Sequence, residues 1–228
     1  VPWLDGRIVL VVGAEGEPTA GIASGLVGAG ATVGLVGDAT LLDLATVIDR
    51  EPGRAVPIAA RLGDRAAIDD AFTVATDVLR RVDAVVLTAY PTAALAPRAL
   101  VDLDEPAWDA SCEQVLRSTL FVLQGAYHSL HERGGRIILV TPTIAMTGAS
   151  GLAPLAAAAE GQRALAKSAA RAWGAQGITV NCLAPSLPPE SVGTLRLSLD
   201  DASLGDTDAE RDLAPIVAFL VSDDSHSL

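Results

Sequence analysis

Short, continuously apolar runs alternate along this chain with longer stretches of helical periodicity. Apolar runs without polar alternation are typical of parallel strands that are covered by helices on both faces. Runs of this kind predict six strands, at residues 7–12, 32–37, 55–60, 83–88, 136–141 and 178–183. Ala-rich segments with helical spacing predict helices at 20–29, 41–50, 64–81, 108–132, 154–175 and 209–221. The alternating order predicts a single α/β domain with a Rossmann-like, doubly wound parallel sheet.

One segment departs from this alternation. Residues 186–208 are rich in Pro, Ser, Asp and Gly, which predicts a long loop or a lid. The length of 228 residues suits one domain with a sizeable core. Because aromatic residues make up only 4% of the chain, that core must consist mainly of Ala, Val, Leu and Ile.

Charge and cysteine usage exclude several classes of function. A net charge of −12 repels phosphate backbones, so we expect no nucleic-acid partner. The two cysteines, Cys112 and Cys182, lie far apart and form no CxxC pair, which indicates a reducing compartment and no structural metal site. No apolar run reaches the roughly 18 residues of a membrane span, and no signal segment is evident. These features together predict a cytoplasmic protein without a membrane partner.

Several motifs in fixed order carry a family resemblance. Residues 6–33 predict a strand, a glycine-containing turn and a helix ending in GAGATV, the place of a dinucleotide-binding turn. The motifs that follow are DAVVLTAY at Asp83, WDASCEQVLRSTLF at Trp108, GGRIILVTPT at Gly134 and GITVNCLAPS at Gly177. Over nearly its whole length the chain resembles a short-chain dehydrogenase/reductase. That resemblance implies hydride transfer with a nicotinamide cofactor, served by a Tyr acid/base, a Lys, a Ser and an Asn.

The same register leaves all four of those catalytic positions without the expected residues. Aligning LAAAAEG with the family's YxxxK segment places Leu155 at the tyrosine and Ala159 at the lysine. Pro142 falls at the serine and Val115 at the asparagine. None of the four side chains can move a proton, so we expect no catalytic residue here. Thr141 offers a substitute hydroxyl, but the alternation of side chains along a strand predicts that it faces away from the site.

The cofactor positions are altered as well. Gly13 remains as the first glycine of the turn, but Glu17 and Thr19 stand at the second and third, and Tyr90 replaces a glycine beneath the cofactor. A carboxylate about 4 Å from a diphosphate charge repels it by roughly 4 kcal/mol near a surface. These residues predict that binding is blocked and that there is no cofactor. Asp38, past the second strand, is either a vestige that favours NAD over NADP or a helix cap.

The resemblance also implies a partner surface. Subunits of this family pair through the two helices that correspond to 108–132 and 154–175, and the small side chains of the second suit close packing. We therefore expect an oligomer, in which this inactive subunit pairs with a catalytically competent member of the family. The alternatives are a non-redox isomerase, cyclase or lyase using Tyr90, Glu160 or Thr141, an NAD-dependent oxidoreductase with atypical catalytic residues, and a module that binds NAD without reacting.

Overall fold

A six-stranded parallel sheet forms the centre of the molecule. The computed structural model describes residues 3–13, 18–49, 54–88, 95–185 and 209–228. Its strands are β1 (Ile8–Val12), β2 (Thr32–Gly37), β3 (Arg54–Ala59), β4 (Ala84–Leu87), β5 (Gly135–Val140) and β6 (Ile178–Leu183). They are ordered β3-β2-β1-β4-β5-β6, and every neighbouring pair is parallel. The predicted strands and the doubly wound α/β fold are confirmed, with strand ends correct to within one residue.

Helices connect the strands and cover the sheet. They are α1 (Thr19–Gly28), α2 (Ala39–Ile48), α3 (Arg65–Leu79), α4 (Glu105–Trp108), α5 (Gln114–Leu130), α6 (Ile144–Thr147), α7 (Ala153–Trp173) and α8 (Ala214–Val221). No helix in the described ranges is long and apolar enough to cross a membrane.

The core has two halves, one on each face of the sheet. Val11, Val33 and Ile138 pack on one side with residues of α1, α2 and α8. Leu10 and Ile137 point to the other side and pack with residues of α3 and α5. Because successive side chains of a strand alternate between two buried faces, nearly every position of the four inner strands β2, β1, β4 and β5 is apolar or small. This double burial explains the continuous apolar runs of the sequence.

Two of the predicted helices contain a wider turn that the sequence pattern does not indicate. Where a helix is predicted at 108–132, the structure has the short α4, which begins at Glu105, then a π-helical turn at Asp109–Glu113, and then α5, which ends at Leu130. The predicted helix 209–221 comprises a π-helical turn at Ala209–Leu213 and then α8. A π turn inserts one extra residue into the helical repeat, and hydrophobic periodicity does not reveal it. The predicted loop 186–208 lies outside the described residues.

The strand order places a crevice at the carboxyl end of the sheet. The chain runs outward from β1 through β2 to β3, and then returns to β4 on the other side of β1. Connections therefore leave β1 and β4 in opposite directions, which opens a crevice between their carboxyl ends. Ligands of doubly wound folds bind at such a switch point, so the residues after β1 and β4 form the candidate site.

Candidate functional site

Gly13 follows β1 at the switch point, and its lack of a side chain is required by its neighbours. A Cβ atom built on Gly13 would lie 2.1 Å from Oγ1 of Thr88 and 2.8 Å from Oγ1 of Thr19. The backbone N–H of Gly13 donates a hydrogen bond to the carbonyl of Val36 at 3.1 Å, which ties the turn to β2. Glycine is thus needed here for internal packing, independently of any approach by a phosphate group.

Two buried threonines bridge the switch point above Gly13. Thr19 is the first residue of α1 and Thr88 follows β4 directly, and their hydroxyl oxygens lie 2.8 Å apart in a hydrogen bond. Both residues are only 2% exposed. Thr19, which the sequence places at the third glycine of the turn, therefore directs its hydroxyl into the protein. Sequence analysis missed Thr88, because a single threonine after a strand carries no signal of its own.

Asp38 caps a helix. Its carboxylate accepts hydrogen bonds from the Thr40 hydroxyl at 2.7 Å and from the Leu41 backbone N–H at 3.4 Å, at the start of α2. The side chain also remains exposed at the carboxyl end of β2. The cap gives this aspartate a structural role, and its exposure leaves it accessible to a ligand. Of the other predicted blocking residues, Glu17 and Tyr90 lie outside the described residues.

The four expected catalytic positions are filled by buried hydrocarbon. They are Val115, Pro142, Leu155 and Ala159. Val115 lies between α5 and α7 in a small apolar cluster with Cys112 and Ala158. Val115, Leu155 and Ala159 are each at most 2% exposed. All four side chains are thus buried, and none of them carries an acid, a base or a hydroxyl group.

The two described alternatives to these residues are poorly suited to catalysis. Thr141 is fully buried after β5, and its hydroxyl has no hydrogen-bond partner among the described residues. Glu160 lies exposed on α7, where its carboxylate forms an ion pair of 3.0 Å with Arg163. A buried hydroxyl without a base and an exposed, paired carboxylate do not form a constellation for proton transfer.

The cysteine thiols are not activated either. Burial raises the pKa of Cys112, and the neighbouring Glu113 raises it further. Burial also raises the pKa of Cys182, although Arg163 and Lys167 act in the opposite direction. Since the thiolate is the reactive form, both shifts reduce nucleophilicity. Within the ranges that the structure describes, no group of three His, Cys, Asp or Glu side chains could hold a metal ion.

The outer surface of α5 and α7 combines close internal packing with exposed apolar groups. A Cβ atom on Gly161 of α7 would lie 2.5 Å from Cδ2 of Leu116 on α5, so the two helices approach closely there. On the outward side, Leu120 is 41% exposed, and Ala157 and Ala164 are also exposed. The outward side of α7 thus carries small side chains, and the exposed Glu160 lies between Ala157 and Ala164.

Comparisons with known proteins agree with this fold and its motifs. The family model described as Enoyl-(Acyl carrier protein) reductase matches residues 19–228. The chain is 30% identical over 182 residues to (2S)-[(R)-hydroxy(phenyl)methyl]succinyl-CoA dehydrogenase subunit BbsD of Thauera aromatica, which covers 75% of this chain and 71% of that protein. It is 27% identical over 237 aligned positions to 3-oxoacyl-[acyl-carrier-protein] reductase FabG of Thermotoga maritima, covering 97% and 93%.

Solved structures agree on the architecture. A short chain dehydrogenase from Mycobacterium smegmatis superposes with a TM-score of 0.85 at 21% identity, covering 100% of this chain and 90% of that one. A short-chain dehydrogenase/reductase from Serratia marcescens superposes with a TM-score of 0.84 at 23% identity, covering 99% and 94%. At these identities the likeness concerns the fold, and the family-model match adds the sequence relationship. The chain belongs to the short-chain dehydrogenase/reductase family.

Proposed function

We propose that this chain is a noncatalytic subunit of a hetero-oligomeric short-chain dehydrogenase, and that it pairs through α5 and α7 with a catalytically competent chain of the same family. The observation that carries this proposal is the buried hydrocarbon at Val115, Pro142, Leu155 and Ala159. Hydride transfer to a carbonyl needs a proton donor at the carbonyl oxygen, and general acid catalysis needs that donor within hydrogen-bond reach. These four side chains provide no such group.

The described part of the cofactor turn fits a dinucleotide poorly. Members of this family typically use NAD or NADP. In a dinucleotide fold the third glycine allows close packing of helix against strand beneath the pyrophosphate. Here that position holds Thr19, a β-branched residue whose hydroxyl is committed to Thr88. We therefore infer that the subunit works without a cofactor, and the alternative is NAD held through the exposed Asp38.

Two observations support an assembly role. The relative from Thauera aromatica is named as a subunit of a dehydrogenase, so a chain of this kind can belong to a larger enzyme. The exposed Leu120 of α5 and the exposed small residues of α7 are side chains suited to close helix packing with another chain. In such an assembly the subunit stabilises its catalytic partner by binding only the partner's folded form. It also contributes to the shape of the partner's substrate pocket.

The non-redox alternatives have less support from the described residues. An isomerase, cyclase or lyase needs an acid or base in the old cleft. Glu160 lies on the surface in an ion pair, and Thr141 is fully buried. No observation at either residue favours such an activity over the subunit role.

Purification from the cell that expresses the chain tests the subunit role. The tagged chain is expected to co-purify at fixed stoichiometry with a second dehydrogenase chain that retains the Tyr and Lys of the family, identified by mass spectrometry. Leu120→Asp, which replaces the exposed leucine of α5 with a charged residue, should remove that second chain from the complex. Val47→Asp is the matched control, because Val47 is 65% exposed on α2, which packs on the opposite face of the sheet from α5. Recovery of a stable homo-oligomer alone would contradict the proposal.

Calorimetric titration tests the cofactor inference separately. With NAD and NADP up to millimolar concentration, we expect no heat of binding to the purified chain. Saturable binding of NAD that weakens in Asp38→Ala would support the alternative, in which the chain holds NAD without reacting.

A further inference from the structure

We draw no further inference here: the strongest candidate, the open groove between α3 and the carboxyl-terminal end of α5, is lined by arginines and carboxylates in near balance, and nothing in the described part of the structure shows which ligand or chain would cover it.

Discussion

Replacing Gly13 with alanine tests whether this glycine serves the interior of the protein or a cofactor. The added methyl group would lie 2.1 Å from the Thr88 hydroxyl oxygen and 2.8 Å from that of Thr19, well inside van der Waals contact. Relief of this overlap requires the two threonines to separate. Overpacking of this kind costs about 1–3 kcal/mol, and loss of the buried hydroxyl pair costs about 1 kcal/mol more. We therefore expect Gly13→Ala to reduce the free energy of unfolding by roughly 2–4 kcal/mol, the sum of these two effects.

A second substitution shows where that cost originates. Thr88→Ala removes the hydroxyl that would lie nearest to the added methyl group. By itself it should lower the free energy of unfolding by about 1–3 kcal/mol, because the buried Thr19 hydroxyl loses its hydrogen-bond partner. In the double variant the alanine at 13 occupies space that the hydroxyl has vacated, so Gly13→Ala/Thr88→Ala should be more stable than Gly13→Ala alone. Urea unfolding followed by circular dichroism measures all four forms. A neutral Gly13→Ala, or strict additivity of the two changes, would refute the packing argument.

Three further substitutions test single interactions by urea unfolding. Thr141→Val should stabilise the fold by about 1 kcal/mol, because it removes a buried hydroxyl that has no described partner; a loss of stability would show that this hydroxyl does form a hydrogen bond. Arg80→Gly should give a gain of roughly 0.5–1 kcal/mol, since Arg80 ends α3 with a φ of 71°, a conformation that favours glycine. Asp38→Ala should lower the free energy of unfolding by about 1 kcal/mol, because it removes the cap of α2. The control is Asp38→Asn, which keeps a hydrogen-bond acceptor and should lower the free energy of unfolding much less.

The sheet could be predicted from the sequence because its signal is local and repeated. The four inner strands are buried on both faces, so nearly all of their positions are apolar, and each of the six predicted strands is followed by a predicted helix. The apolar run 136–141 illustrates the limit of this signal, since the structure shifts the strand by one residue to Gly135–Val140. Hydrogen bonds at a strand end depend on the neighbouring strands, and an apolar pattern does not encode them.

The candidate site was less predictable, because its contacts join distant segments. Thr19 and Thr88 are 69 residues apart, and neither position is distinctive without the other. The sequence indicates that Thr19 replaces a glycine, but the direction of its hydroxyl depends on how closely α1 approaches β4. By contrast, the pair between Glu160 and Arg163 follows helical i,i+3 spacing and could have been predicted from sequence alone.

On the proposed function, packing would oppose the introduction of the family's catalytic residues one at a time at the four positions that the sequence aligns with them. Ala159 is fully buried, so Ala159→Lys would place an ammonium group in an apolar seam, where it must find a partner, lose its proton or destabilise the fold. Leu155→Tyr adds a phenol whose pKa would fall from about 10 toward neutral pH only with a lysine ammonium group beside it. Each of these introduced groups thus needs the others in place, whereas Val115 already packs with Ala158. On the proposed function, buried hydrocarbon at these positions stabilises the fold of a subunit whose role is to bind another chain.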